Sequence, residues 1–249
     1  MENAPIMTLN GISCYPGTPS KVWEKFFKWA LEVYMPLEMR VPQRRQIDLY
    51  QIVHDTPLFP SLLVLFHYEK HADWENARKS REAKFITSEF DKWTKEGITD
   101  YTWSAVYELV KGYRSDRSVS EEHTDTRIKN APFLHVEAYK FTAEDSEKYN
   151  KWFTDYSSDV FLPLLMNQAG LKGYDYFKYV GLSINYEKLI EKDYPTYVSV
   201  NYFEDIKDFE NFENSKELAA CKKTLRSIFP NGLRYQWYVQ YHLVKSWSK

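Results

Sequence analysis

The sequence predicts an α+β chain made of two tandem β-α-β-β-α-β repeats whose antiparallel sheets pack together. Three observations carry this. Residues 3–53 match residues 130–180 without a gap at a shift of about 127, with about eleven identities. Among them are Asn3-Ala4-Pro5 with Asn130-Ala131-Pro132, Phe26 with Phe153, Pro36-Leu37 with Pro163-Leu164, and Asp48 with Asp175. The match resumes past a loop that is longer in the second copy, with Pro60 on Pro195, Ser80 on Ser215, and Tyr107 to Lys111 on Tyr241 to Lys245. Within each copy, period-2 runs alternate with helical ones in the order strand, helix, strand, strand, helix, strand. Between the copies, Arg114 to Lys129 is polar and lacks either period. The expected organisation is therefore a repeat over 1–113, a linker over 114–129 and a second repeat over 130–249.

In the first copy, strands are expected near Ile6 to Ser13, Gln46 to Val53, Ser61 to Tyr68 and Tyr101 to Val110, with helices near Pro19 to Arg40 and Asp73 to Lys95. In the second, Phe133 to Phe141 alternates, and Thr142 to Asp145 reads as a capping box for a helix reaching Gln168, ended by Gly170 and Gly173. Strands Tyr174 to Val180 and Thr196 to Phe203 follow. Asp208 is the expected N-cap of a helix running to Ile228, Pro230-Asn231-Gly232 ends it, and Tyr235 to Val244 is the last strand. Pro36 and Pro163 fall late in their helices at matching places, so a bend there belongs to the design.

A net charge of -2 with both signs interspersed leaves no basic stripe, which argues against nucleic-acid and membrane-surface partners. The start of the chain lacks a basic region followed by an apolar run, and no apolar stretch reaches spanning length, so a cytoplasmic protein is expected. Cys14 and Cys221 occupy unmatched positions and suggest neither a disulfide nor a metal pair. Aromatic residues supply 17% of the chain, as expected for sheet faces and ring-rich cores. No phosphate-cradling glycine loop or nucleophile elbow occurs, which disfavours nucleotide-dependent and α/β-hydrolase readings.

The long first helix ending in Phe161-Leu162-Pro163-Leu164-Leu165, the lead Gly170-Leu171-Lys172-Gly173-Tyr174 into the next strand, and the sheet periodicity resemble the dimeric α/β-barrel superfamily. This ferredoxin-like group includes EthD-like, NIPSNAP-like, antibiotic-monooxygenase-like and chlorite-dismutase-like proteins. The resemblance implies strand order 4-1-3-2 in each copy and an intramolecular pseudo-dimer, with further association as a homodimer optional.

Alternation then assigns faces. The apolar sets Leu134, Val136, Ala138 and Val198, Val200, Tyr202, with Trp237, Val239 and Tyr241, should meet the helices. That sends His135, Glu137, Tyr139, Tyr197, Ser199, Asn201, Gln236, Tyr238, Gln240 and His242 toward the barrel interior. With the first and last strands as neighbours, His135 comes near His242 and Glu137 lies two residues along, an arrangement suited to an acid/base pair with a positioning carboxylate. The catalytic candidates are His135, Glu137 and His242. The ligand-binding candidates are Tyr139, Tyr197, Ser199, Asn201, Gln236, Tyr238 and Gln240. The matching face of the first copy carries Thr8, Asn10, Thr102, Ser104 and Glu108, so one asymmetric pocket is expected. His67 is expected to face a helix, and Asp48 and Asp175 to brace turns.

No metal or cofactor is expected. The resemblance implies cofactor-independent oxygenation, isomerisation or decarboxylation of a cyclic or aromatic small molecule, with His135 or His242 accepting a proton, Glu137 orienting it, and Asn201 or Gln240 stabilising charge on oxygen. A noncatalytic binding or assembly module is one alternative, and a haem protein of chlorite-dismutase type is the other.

Overall fold

A computed structural model describes residues 4–54, 59–115, 131–153, 156, 160, 162–166, 170–184, 189, 194–230 and 235–249. Its strands are β1 (Ile6–Cys14), β2 (Gln46–Ile52), β3 (Leu62–Tyr68), β4 (Thr99–Arg114), β5 (Phe133–Tyr139), β6 (Leu171–Leu182), β7 (Tyr197–Phe203) and β8 (Tyr235–Ser248). They close into one antiparallel barrel in the order β1-β3-β2-β8-β5-β7-β6-β4. The expected 4-1-3-2 order thus appears among the first four strands and again among the last four. The two sheets join edge to edge through β2–β8 and β4–β6, which leaves no open sheet edge. The ends of β4, β6 and β8 run past the expected limits because those strands continue across the junctions. Arg114, the first residue of the expected linker, is the last of β4, and residues 116–130 lie outside the described residues.

The helices described are α1 (Ser20–Trp29), α2 (Met35–Glu38), α3 (His71–Lys79), α4 (Arg81–Lys95), α5 (Ala143–Trp152), α6 (Leu162–Met166), α7 (Ile206–Glu213) and α8 (Lys216–Ile228). A π-helical turn, Ala30–Tyr34, joins α1 to α2, and Pro36 sits at the start of α2, so the bend forms where proline removes a backbone donor. The helices expected over 73–95 and from Asp208 to Ile228 are each two. Ser80 and Ser215 turn extended and accept from Ala83 N and Leu218 N, both at 3.1 Å, so each starts a new helix rather than continuing the old one. The cap of α7 is Asp205, and Asp208 donates its N–H to that side chain at 2.9 Å. Gln168 and residues 231–234 lie outside the described residues.

The expected faces are reversed. Leu134, Val136, Ala138, Val198, Val200, Tyr202, Trp237, Val239 and Tyr241 fill the lumen together with Met7, Leu9, Leu63 and Leu65 of the other half. His135, Glu137, Tyr139, Tyr197, Ser199 and Asn201 share the opposite side with Phe133 and Phe203, under α5, α7 and α8. A small eight-stranded barrel must fill its interior with side chains, so the aliphatic set goes inward. The helix-covered side takes these polar groups because strand neighbours Tyr139, Ser199 and Gln240 supply their hydrogen bonds and the Lys222 ammonium lies nearby.

Candidate functional site

β5 presents Phe133, His135, Glu137 and Tyr139 in a row beneath the C-terminal helices, and β7 and β8 complete the floor. In register, His135 lies between Asn201 and Gln240, and Glu137 between Ser199 and Tyr238. His135 is fully buried. Its ring packs on Phe209 of α7 at 4.7 Å and edge-on to Tyr238 at 4.4 Å. The Gln240 amide nitrogen meets Nδ1 at 3.1 Å, and Nε2 faces Glu137 Oε1 at 3.3 Å. With Gln240 donating to Nδ1, the ring proton sits on Nε2 and is given to the carboxylate.

Glu137 also accepts from the Tyr139 hydroxyl through a short bond and from Ser199 Oγ at 3.3 Å. Burial pushes its carboxyl up. The hydrogen bond and charge of His135, the Tyr139 bond and the Lys222 ammonium outweigh that and hold it below the usual carboxylate range. On the helix side stand Glu213, whose Oε2 accepts from Lys222 Nζ at 3.0 Å, and Cys221, whose thiol is pushed up to about 12 by burial and then by Glu137. One ligand atom from each of His135, Glu137 and Glu213 lies within 4.8 Å of the others, a spacing that suits a cation, although the Lys222 ammonium already serves Glu213 there.

His242 is not brought into this group. The residue opposite His135 is Gln240, and His242, one pair further along β8, is exposed and packs edge-on to Phe133 at 5.3 Å. Tyr238 is 36% exposed and covers His135 edge-on. Gln236 lies on the same strand face, half-buried. Tyr139 and Tyr197 lead from the polar group into a ring cluster with Tyr149, Trp152, Phe153, Tyr176 and Phe229. There Tyr176 stacks on Tyr197 at 5.1 Å and on Phe153 at 4.2 Å. The Trp152 indole nitrogen is buried in it without a hydrogen-bond partner among the described residues, and the Tyr176 hydroxyl lies against Tyr149.

The sequence reading missed the helix-borne members of this site. Tyr149, Trp152 and Phe153 recur at helical spacing, the one signal that could have placed them against the sheet. It also missed a second polar group, in the lumen. His67 Nε2 meets Asp48 Oδ2 at 2.9 Å, and Gln46 and Ser246 also donate to that carboxylate. At corresponding places in β6 and β7, Tyr202 donates to Asp175 at 3.2 Å, and Arg114 grips Asp175 with two bonds at 2.6 and 2.9 Å. Neither aspartate braces a turn, and His67 faces the lumen rather than a helix.

Solved structures share this fold. A monooxygenase candidate from Fusobacterium nucleatum superposes with TM-score 0.64 at 12% identity over 100% of this chain and 96% of its own. An anthrone oxidase-like protein gives 0.63 at 11% over 99% and 93%. Chlorite dismutase from Candidatus Nitrospira defluvii, in complex with imidazole, gives 0.56 at 12% over 98% and 93%. What they share with this chain is the fold, an eight-stranded antiparallel α+β barrel consistent with a dimeric α/β barrel. No protein-family model and no curated protein matches the chain. Among the described residues no helix is long and apolar enough to cross a membrane.

The chlorite-dismutase likeness raises haem. Of the histidines after residue 130, His135 has both ring nitrogens engaged and Phe209 against its face, and His242 stands exposed, packed edge-on to Phe133. Neither offers a buried, open axial nitrogen, so these residues do not fit a histidine-ligated haem.

Proposed function

We propose that this chain, read as two tandem ferredoxin-like repeats, is a small-molecule α/β barrel acting without a cofactor as an oxygenase, isomerase or decarboxylase on a cyclic or aromatic substrate. The site is the aromatic cleft between the second sheet and α5, α7 and α8. One observation carries this reading: an ionisable pair, His135 and Glu137, stands where the corresponding first-half residues, Thr8 and Asn10, form a neutral closed group. Beside it lie the rings of Tyr139, Tyr149, Tyr176 and Tyr197, with the buried Trp152 indole nitrogen unpartnered among the described residues.

In this reading Glu137 holds the His135 Nε2 proton and orients the ring, so Nδ1 is the nitrogen that accepts a proton from an acidic C–H of the substrate. The Gln240 amide, which now donates to Nδ1, turns to the substrate oxygen where negative charge develops, and Asn201 assists. Tyr238 must swing aside to admit the substrate. The anthrone oxidase-like neighbour suggests a first test compound, whose ring CH2 and dioxygen would give a ring C=O and water. The experiment is oxygen uptake with anthrone and a panel of cyclic enolisable ketones. Turnover that falls at least about a hundredfold in His135→Ala supports the assignment, given the usual contribution of a general base.

A noncatalytic binding module is the second reading, favoured by the complete hydrogen bonding of His135 and Glu137 to their neighbours. Saturable binding of the panel without turnover, indifferent to His135→Ala, would select it.

A further inference from the structure

The lumen end opposite the carboxylates is built from rings, and its two sides are not alike. Trp103 faces Gly11 across β1–β4 as Trp237 faces Ala138 across β5–β8, and the two indoles meet at 4.6 Å. Tyr107 and Tyr241 likewise hold corresponding places, opposite Met7 and Leu134. On one side Phe59 packs edge-on to Trp237 at 6.2 Å, and Tyr241 donates its hydroxyl to Pro60 O at 3.3 Å, so that side is apolar and satisfied.

On the other side, Tyr194 stands in the place of Phe59, 4.5 Å from Trp103. Tyr179 stacks on Tyr194 at 5.4 Å and meets Tyr107 at 5.8 Å. Here the donors lack acceptors. The Trp103 indole nitrogen and the Tyr107 and Tyr194 hydroxyls are all buried with no hydrogen-bond partner, and their side chains are at least nine-tenths buried. Tyr107 lies beside the Trp103 indole and Tyr194 beside the Ser104 backbone, contacts that offset part of the burial effect on each hydroxyl but leave all three polar atoms without a well-formed hydrogen bond among the described residues. Orphaned buried donors are costly, so three converging on one place imply an acceptor that arrives from outside the chain.

We infer that the Trp103–Tyr107–Tyr194 side of the lumen is a second binding site, separate from the His135 cleft, for a small uncharged planar aromatic ketone whose carbonyl oxygen takes these donors. The walls are flat rings, which match a planar aromatic body. The ligand is neutral because, among the described residues, only rings and the Ser104 backbone act on these hydroxyls, with no charged side chain to balance a charge. It accepts rather than donates because burial pushes the Tyr107 and Tyr194 hydroxyls up, Tyr194 to about 12, and so keeps both protonated. Tyr179 is only half-buried and marks the side from which the ligand enters.

The test uses the whole chain with nitrogen-15-labelled tryptophan, titrated with 1-indanone and with indane, the same rings without the carbonyl. The Trp103 indole N–H resonance, assigned with Trp103→Phe, should move and saturate, with 1-indanone binding about tenfold tighter than indane, the factor expected for a hydrogen bond to a buried donor. Tyr107→Phe with Tyr194→Phe should erase that preference, and His135→Ala should leave it intact even where turnover is lost. A Trp103 resonance that does not respond, equal binding of the two compounds, or binding abolished by His135→Ala would each overturn the site. If the double variant does not fold, the ketone-to-hydrocarbon ratio in the unaltered chain decides the matter alone.

Discussion

The two halves of the barrel hold the same register and opposite chemistry. On the helix-facing side of β1, Asn10 donates to Thr8 Oγ1 at 2.9 Å and accepts from Ser104 Oγ at 2.7 Å, all three fully buried. The neighbours in register are apolar, Val64 and Phe66 on β3 and Val106 on β4. On β5 the corresponding residues are Glu137 and His135, and Ser199, Asn201 and Gln240 replace the apolar neighbours. The first half thus closes its polar spot with short neutral groups that satisfy one another. The second half keeps an imidazole and a carboxylate beside the partly exposed Tyr238. One backbone frame tolerates both because in each half neighbouring strand residues supply the hydrogen-bond partners.

The largest expected effect comes from erasing this difference. His135→Thr with Glu137→Asn gives the second half the residues of the first, and turnover should fall by roughly 10²–10⁴ as for loss of a general base. The same variant sharpens the stability comparison. Glu137 titrates below the usual carboxylate range when folded, so its stabilising contribution is present above that range and is lost as pH falls through the folded value. Thermal unfolding across acid pH should show that loss in the parent chain and a flatter profile in the variant. Unchanged turnover would break the comparison as a functional one.

The lumen offers the next contrast. Asp175→Asn leaves the guanidinium of Arg114 buried without its carboxylate and should destabilise by about 3–5 kcal/mol, whereas Asp48→Asn faces His67, which can lose its proton, and should cost about 1–3 kcal/mol. Urea unfolding of the two variants measures the gap, and equal values would mean that Arg114 finds another anion.

The smallest effect tests where the halves agree. Ser80→Ala and Ser215→Ala each remove one capping bond of the same 3.1 Å length, so each should cost about 1 kcal/mol, within error of the other. A marked difference in urea midpoints would show that α4 and α8 bear unequal shares of the fold.

Strand order and the break in the first helix near Pro36 were legible in the sequence, as were the matching serines, although not their role as helix starts. Of the candidate residues, His135, Glu137, Tyr139, Ser199 and Gln240 form one hydrogen-bonded group, which His242 does not join. The location of that group was not legible. Period-2 alternation says which residues share a face and leaves open which face is inside, and an apolar strand face suits a barrel lumen as well as a helix layer.

The sequence by itself determined the repeat of elements, the pairing of like faces and the clustering of polar residues in the second half, because these depend on local spacing alone. Closure decided the rest. Joining β2 to β8 and β4 to β6 closed the lumen, turned the aliphatic rows inward and set His67 beside Asp48. It also brought Trp103 against Trp237 across 134 residues of chain. Such contacts depend on the curvature of the whole sheet, a property that no single strand carries.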